Sequence, residues 1–141
     1  MQSLVNVWIH LVWTTKKREP FLYPALKFKV CEHILENARE KGYYVDFING
    51  VEDHLHCLIK LSPLMNLSKL VNDIKGESSH WINKNKFLDI PFGWQDGYGA
   101  FSVSPQNIDL VRNYIANQEE HHKNKNFDDE IKIFEEISSV K

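Results

Sequence analysis

The sequence has few cysteines and no long apolar run. Only Cys31 and Cys57 occur among 141 residues, so no disulfide framework is indicated and we expect reduced thiols in a cytoplasmic protein. No stretch approaches the ~20 consecutive apolar residues of a membrane span, and the N-terminus does not follow the pattern of a signal peptide. We therefore expect a soluble, unprocessed protein.

A strong positive charge is also missing. Seventeen lysines and arginines stand against nineteen acidic residues, for a net charge of -2, which argues against a large non-specific surface for nucleic acid. Basic residues nevertheless cluster in "TTKKREP", whereas acidic residues concentrate after Glu119. A local contact with nucleic acid remains open.

The remaining composition is that of an ordinary globular protein. The chain is 43% hydrophobic and 26% charged, without an internal repeat or a low-complexity linker. These proportions predict a single domain over residues 1–141 with a substantial apolar core.

The first half of the chain predicts the order strand, helix, strand, strand. In residues 4–14 every second side chain is apolar, while those between include polar residues, which favours a strand with one buried face. Residues 21–41 have the apolar periodicity of a helix. The segments "YYVDFING" and "EDHLHCLI" then predict an antiparallel hairpin that turns at Asn49 and Gly50.

The second half predicts a helix, a strand and two further helices. An amphipathic helix starts at Asn66 and is expected to be interrupted or to end near Gly76. "GWQDGYGAFSVS" favours a strand, Ser104 and Pro105 begin a helix that runs into "YIANQEEHH", and "DDEIKIFEEI" predicts a last short helix. The whole order indicates an α+β fold, a ferredoxin-like antiparallel sheet with helices packed on it.

Two histidines stand one residue apart in the second hairpin strand. Alternation along a strand places His54 and His56 on one face and Leu55 and Cys57 on the other. Two imidazoles at this spacing suit a divalent metal, but a catalytic site usually has a third protein ligand. The remaining ligand must come from elsewhere in the chain.

The helix after Pro105 offers a ligand and a nucleophile. Tyr114 and Gln118 are four residues apart and share a helix face, with His121 one turn later. An amide oxygen beside two imidazoles would form a mixed nitrogen and oxygen site that accepts Mg²⁺ or Mn²⁺. A metal that polarises a phosphate makes a tyrosine hydroxyl a competent nucleophile.

Each of these residues also has a structural explanation. A His-x-His pair on a strand is more often surface or core-edge histidine than a ligand pair, and a tyrosine beside an apolar stripe is usually a core-edge aromatic. Gln118 carries no signal alone, and "EEHHKNKN" is typical of a solvated helix end. Only the combination favours a metal site.

Five segments occur in an order that resembles a known family. They are "HLVWTTKKREPFL", "EDHLHCLI", "LVNDIKGESSHWIN", "WQDGYGAFSVS" and "YIANQEEHH". Together they are similar to the single-tyrosine HUH transposases of the insertion sequence 200 / insertion sequence 605 family, over about residues 8–134. The chain departs from many relatives in being slightly acidic, with "GES" where a more basic loop is expected.

The resemblance implies a dimeric enzyme that cuts and rejoins single-stranded DNA at hairpin-forming ends of a mobile element. His54 and His56 would hold Mg²⁺ or Mn²⁺, Gln118 would complete the metal site, and Tyr114 would become joined to a 5′ phosphate. It further implies a homodimer whose active sites are shared between subunits, the alternative being a tyrosine helix that folds back onto its own sheet. The expected DNA contacts are Lys16, Lys17, Arg18, Lys75, Ser78 and Ser79.

Two other functions are compatible with the sequence. One is a zinc-dependent hydrolase that uses His54, His56 and His121 with a metal-bound water. The other is a ferredoxin-like nucleic-acid-binding protein without catalysis. Cleavage by a Tyr114→Phe variant would favour the hydrolase, and binding without cleavage would favour the second.

Overall fold

A four-stranded antiparallel sheet organises the chain in the computed structural model. The model describes residues 1–138, apart from the side chains of residues 121, 122, 124, 137 and 138. The strands are β1 (Val7–Thr14), β2 (Tyr44–Val51), β3 (His54–Leu61) and β4 (Gly99–Val103), in the spatial order β2-β3-β1-β4. The helices are α1 (Pro24–Glu40), α2 (Leu67–Lys84), α3 (Ile108–Ala116), α4 (Gln118–Asn124) and α5 (Phe127–Ser138), with 3-10 turns at Lys16–Arg18 and Pro105–Asn107. The predicted ferredoxin-like architecture is confirmed.

The larger core lies between one sheet face and the first two helices. Leu11 and Trp13 of β1 share it with Leu55, Cys57 and Ile59 of β3. The apolar stripes of α1 and α2 cover these residues, with Leu26, Val30, Ile34, Leu70, Val71 and Ile74 among the buried contacts. The predicted alternation of β3 is therefore correct on this face.

The prediction that β1 has one buried face is wrong. Trp8, His10 and Val12, on the second face, are also buried, because β1 is a central strand with β3 on one side and β4 on the other. A smaller apolar cluster of Trp8, Leu58, Val103 and Ile115 fills part of this second face.

The hairpin between β2 and β3 is confirmed, but its turn lies later than predicted. Glu52 and Asp53 connect the strands, whereas Asn49 and Gly50 lie inside β2. A Cβ at Gly50 would stand 2.2 Å from the His54 carbonyl oxygen. Glycine is needed here because the two backbones approach closely, and not because the chain turns.

Two predicted helix boundaries differ in the structure. The α2 helix continues through Gly76, since the buried stripe on either side of it includes Ile74 and Ser78 and holds the helix together. The helix predicted to run from Pro105 is divided into a 3-10 turn, α3 and α4, with a break at Asn117 (φ -100°, ψ 28°).

Candidate functional site

The paired histidines of β3 lie on the second face of the sheet and are fully buried. His54 is paired with Thr14 and His56 with Val12 across the β1–β3 ladder. Both rings have no solvent exposure. Tyr114 of α3 and Phe134 of α5 cover His56, and Phe127 of α5 covers His54. The histidine face is therefore an enclosed polar site inside the protein.

The Nδ1 atom of each histidine has a hydrogen-bond partner from a neighbouring side chain. His54 Nδ1 lies 2.7 Å from Asp53 Oδ1, and His56 Nδ1 lies 2.8 Å from His10 Nε2. With a metal ion bound, a proton on each Nδ1 would keep both hydrogen bonds and leave each Nε2 to the ion. Both rings thus point the same nitrogen, Nε2, toward Glu130 of α5.

Burial and neighbouring charges set opposite protonation states for His10 and His54. Burial, together with the adjacent His56, lowers the pKa of His10 to about 3, so His10 is neutral at physiological pH. Burial also acts to lower the pKa of His54, but the hydrogen bonds to Asp53 and Glu130 outweigh it and raise the pKa to about 9. The strong negative environment of His54 is one that also favours a bound cation.

A carboxylate of α5 faces the two Nε2 atoms. Glu130 Oε2 lies 2.9 Å from His56 Nε2 and 3.8 Å from His54 Nε2. One ligand atom from each of these three buried residues lies within 4.8 Å of the others. Two imidazoles and a carboxylate are a donor set that divalent metals accept, so the cluster fits a metal ion.

Helix α3 brings Tyr114 against the histidines of the same chain. The Tyr114 ring centroid lies 5.9 Å from that of His56 and 6.4 Å from that of His10. In the single chain, the tyrosine helix thus packs against its own sheet. Sequence order alone does not distinguish this arrangement from one shared between subunits.

Strand β2 fixes the position of α3. Arg112 donates through Nε and Nη2 to the two carboxylate oxygens of Asp46, at 2.6 and 2.7 Å. Asn49 Nδ2 donates to the carbonyl oxygens of Ile115 and Ala116, two groups that the end of a helix leaves unpaired. These contacts flank Tyr114 and orient it toward the sheet.

The predicted ligand Gln118 is the first residue of α4 and is completely buried. It therefore lies on a different helix from Tyr114, although its amide is close enough to lower the pKa of the tyrosine hydroxyl. The amide makes no hydrogen bond of normal geometry, so its contact with the hydroxyl is a weak polar one. Burial of such an amide is costly unless it has a partner.

The hydroxyl of Tyr114 is strongly held in its neutral form. Burial raises its pKa, the negative charge of Glu130 raises it further, and the amide of Gln118 acts weakly in the other direction. A phenol in this setting needs a nearby positive charge before it can act as a nucleophile.

The basic segment after β1 borders an open groove of about 960 Å³. Lys17 and Arg18 line this groove together with Tyr98 and Phe127, and Lys16 lies in the same 3-10 turn. Arg18 is also engaged with two carboxylates, at 3.6 Å from Asp53 and 3.3 Å from Asp128.

The second group of predicted DNA contacts has structural roles in α2. Lys75 donates to the carbonyl oxygens of Gln95 and Gly97, at 2.7 and 2.8 Å. Ser78 is fully buried and accepts a hydrogen bond from the Trp94 indole, so its hydroxyl has no surface to offer to DNA. Ser79 is half-buried.

Sequence reasoning missed three residues of the site: His10, Asp53 and Glu130. His10 alternates with Trp8 and Val12 on a strand expected to have only one buried face, and Asp53 directly precedes the histidine pair in "EDHLH". Glu130 lies in an acidic segment of "DDEIKIFEEI" that has no distinguishing pattern. The histidine of the hydrolase alternative, His121, has its side chain outside the described part of the structure.

Comparisons with known proteins identify a family and two relatives. The model of the family described as "Transposase IS200 like" matches residues 3–118. The IS200 transposase of Salmonella typhimurium is 26% identical over 84% of this chain and 80% of its own length. The ISDra2 transposase TnpA of Deinococcus radiodurans is 23% identical over 77% of this chain and 81% of its own length.

Two solved structures share the fold. A crystal structure of a Deinococcus radiodurans R1 protein assigned as a transposase has a TM-score of 0.68 and 22% identity, and the match covers 84% of this chain and 95% of that chain. A REP-associated tyrosine transposase bound to a REP hairpin has a TM-score of 0.61 and 16% identity, with coverages of 86% and 73%. The family match spans the sheet, the histidine pair, Tyr114 and Gln118, and the chain belongs to the IS200-like transposase family.

Proposed function

We propose that this protein cuts and rejoins single-stranded DNA at the ends of a mobile element through a bond between Tyr114 and a 5′ phosphate. Membership of the transposase family gives the class of activity. The observation that supports the chemistry is the contact between the Tyr114 ring and His56 in a site whose two histidines present Nε2 to the same space. The single domain of residues 1–141 would carry the whole reaction.

The reaction exchanges one phosphate ester for another. The oxygen of Tyr114 attacks the phosphorus and loses its proton, while the bond from phosphorus to the 3′ oxygen breaks and that oxygen leaves as a 3′ hydroxyl. Because the new bond is also a phosphodiester, rejoining to another 3′ hydroxyl reverses the step without a nucleotide cofactor.

The metal site is proposed for Mg²⁺ or Mn²⁺, with His54, His56 and Gln118 as ligands. A divalent ion at these residues supplies positive charge that polarises the phosphate and opposes the effect of Glu130 on the Tyr114 hydroxyl. His10 and Asp53 hold the histidine rings in the required orientation.

The groove beside the site is the proposed path for single-stranded DNA. Lys17 and Arg18 would contact phosphates, with Lys16 next to them, and Tyr98 offers a ring on which a base can stack. Lys75 and Ser79 do not line this groove and are proposed only as secondary contacts, because the Lys75 ammonium already binds the carbonyl oxygens of Gln95 and Gly97. One structural relative binds a REP hairpin, which supports hairpin-forming ends as the substrate.

We also propose that the protein is a homodimer in the cytoplasm. No helix among the described residues is long and apolar enough to cross a membrane, and both cysteines lack a disulfide.

The contacts within one chain support a site completed by its own Tyr114. Mixing Tyr114→Phe with His56→Ala protein distinguishes the arrangements: shared sites would restore about a quarter of wild-type cleavage in exchanged dimers, and sites within one chain would restore none.

The covalent step can be tested with single-stranded DNA from either side of the gene, labelled at one end and incubated with Mn²⁺. With a 3′ label, the protein band should carry the label on a denaturing gel. With a 5′ label, the product should be a shorter free strand that ends in a 3′ hydroxyl.

A matched pair of tyrosine variants controls this test. Tyr114→Phe should give neither product, whereas Tyr23→Phe, which alters an exposed tyrosine, should behave as wild type. Cleavage by Tyr114→Phe would instead support a hydrolase with a metal-bound water. Binding without cleavage by the wild-type protein would support a non-catalytic nucleic-acid-binding protein.

A further inference from the structure

We propose that Glu130 of α5 is a ligand of the metal held by His54 and His56. The carboxylate oxygen would join the two imidazole nitrogens and the Gln118 amide oxygen in holding the ion. This inference rests on the proposed metal site and adds a ligand from a segment beyond residue 118, where the family match ends.

The distances around Glu130 suit coordination. Ligand atoms at ~2.1 Å from a metal lie about 3 Å apart at right angles and about 4 Å apart on opposite sides. Glu130 Oε2 lies 2.9 Å from His56 Nε2 and 3.8 Å from His54 Nε2, and the ligand atoms all lie within 4.8 Å of one another.

The burial of Glu130 also favours a cation at this point. The Glu130 side chain is only 1% exposed, and a buried carboxylate requires a compensating positive charge. His10 and Asp53 occupy the Nδ1 atoms of the two histidines, so the Nε2 atoms are the ones that face the carboxylate. A divalent cation would satisfy all three together.

Helix α5 is anchored on both sides of Glu130. Three residues earlier, the Phe127 ring lies 4.9 Å from His54, and four residues later, the Phe134 ring lies 4.6 Å from His10. Positions at these spacings share one helix face. Asp128 adds an ion pair with Arg18 at 3.3 Å. The helix thus holds Glu130 toward the histidines from two points.

The experiment measures Mn²⁺ binding to the DNA-free, full-length protein from the electron paramagnetic resonance signal of the free ion. Glu130→Gln keeps the shape of the side chain and removes its charge, and it should weaken binding at least ~10-fold. Glu136→Gln makes the same change at an exposed position of α5 and should bind as wild type. Circular dichroism establishes that each variant is folded.

A second variant, Glu130→Asp, tests the inference if the Glu130→Gln protein does not fold. Glu130→Asp retains the charge and draws the carboxylate back by one methylene group, so it should also bind Mn²⁺ more weakly than the wild type. Equal or tighter binding by a folded Glu130→Gln or Glu130→Asp variant would overturn the inference, because Glu130 would then be only an ionic partner of protonated histidines.

The same measurement separates this inference from the proposed function. If wild type binds Mn²⁺, His56→Ala loses binding and the Glu130 variants retain it, the proposed metal site stands and the role of Glu130 is wrong. If the wild-type protein binds no Mn²⁺, both the proposed metal site and the ligand role of Glu130 are overturned.

Discussion

The two faces of the sheet are both buried, but they contain different kinds of side chain. The face under α1 and α2 is apolar, with Leu11, Leu55 and Ile59 at its centre. The face under α3 and α5 has a smaller apolar cluster and holds His54 and His56 against a carboxylate. The first face can supply most of the stability through apolar burial, which leaves the second free to keep polar groups in a fixed arrangement.

Neighbouring residues of β3 allow the two faces to be compared directly, and the largest expected effect is on the histidine face. His56→Ala should abolish DNA cleavage, a loss of more than ~10³-fold, because it removes a proposed metal ligand beside Tyr114. Circular dichroism and urea unfolding should show a folded protein. Cleavage at the wild-type rate with Mn²⁺ present would show that His56 is not a ligand.

Leu55 lies next in the chain and points to the opposite face. Leu55→Ala should lower the free energy of unfolding by about 2–5 kcal/mol, because it leaves a cavity in the main core. Cleavage per folded molecule should be unchanged. Leu110→Ala, at a side chain that is 69% exposed, is the control and should change stability by less than ~0.5 kcal/mol. A loss of cleavage in folded Leu55→Ala would mean that the two faces are not independent.

A smaller effect is expected for the residue that orients His56. His10→Phe keeps an aromatic ring in contact with His56 and removes the nitrogen that bonds to His56 Nδ1. Mn²⁺ affinity should fall by roughly 10–100-fold, as measured by titration calorimetry, and His10→Gln should recover part of it. His33→Phe alters a histidine that stacks on Trp81 away from the site and is the matched control. Unchanged affinity in His10→Phe would assign His10 a packing role only.

The smallest effect is expected under the apolar face. Gly76 lies inside α2, and an added Cβ would contact nothing within 4 Å. Gly76→Ala should therefore raise the free energy of unfolding by about 0.5–1 kcal/mol and leave cleavage unchanged. Gly42→Ala should have the opposite sign, because Gly42 adopts φ +83° at the end of α1. A destabilised Gly76→Ala protein would mean that α2 requires flexibility at this position.

The sequence predicts most of the fold because its signals are local. The alternation in β3, the helical periodicity of α1 and the capping residue Asn66, whose side chain accepts from the Lys69 backbone amide at 3.0 Å, each act within a few residues. The errors arose where tertiary contacts dominate. Helix α2 continues through Gly76 because its stripe is packed, and β1 has two buried faces because of its central place in the sheet.

The site was predictable only in part for the same reason. The spacing of His54 and His56 and the resemblance to a family indicate a metal pair, and in the structure the Tyr114 ring lies 5.9 Å from that of His56 in the same chain. Glu130 comes from a helix far along the sequence, and nothing in its local pattern distinguishes it from the other acidic residues of α5. Glu130 reaches the histidines only through the tertiary packing of α5 on the sheet, which the local sequence does not encode.

The central claim, that Tyr114 is the residue joined to DNA, can be tested by locating the covalent bond. After reaction with single-stranded DNA and Mn²⁺, nuclease and trypsin treatment should leave a short nucleotide on the peptide from Asn113 to Lys123, which contains no other tyrosine. Mass spectrometry should find the nucleotide on Tyr114 through a 5′ phosphate. An adduct on another residue, or cleaved DNA with a free 5′ phosphate and no adduct, would contradict the account.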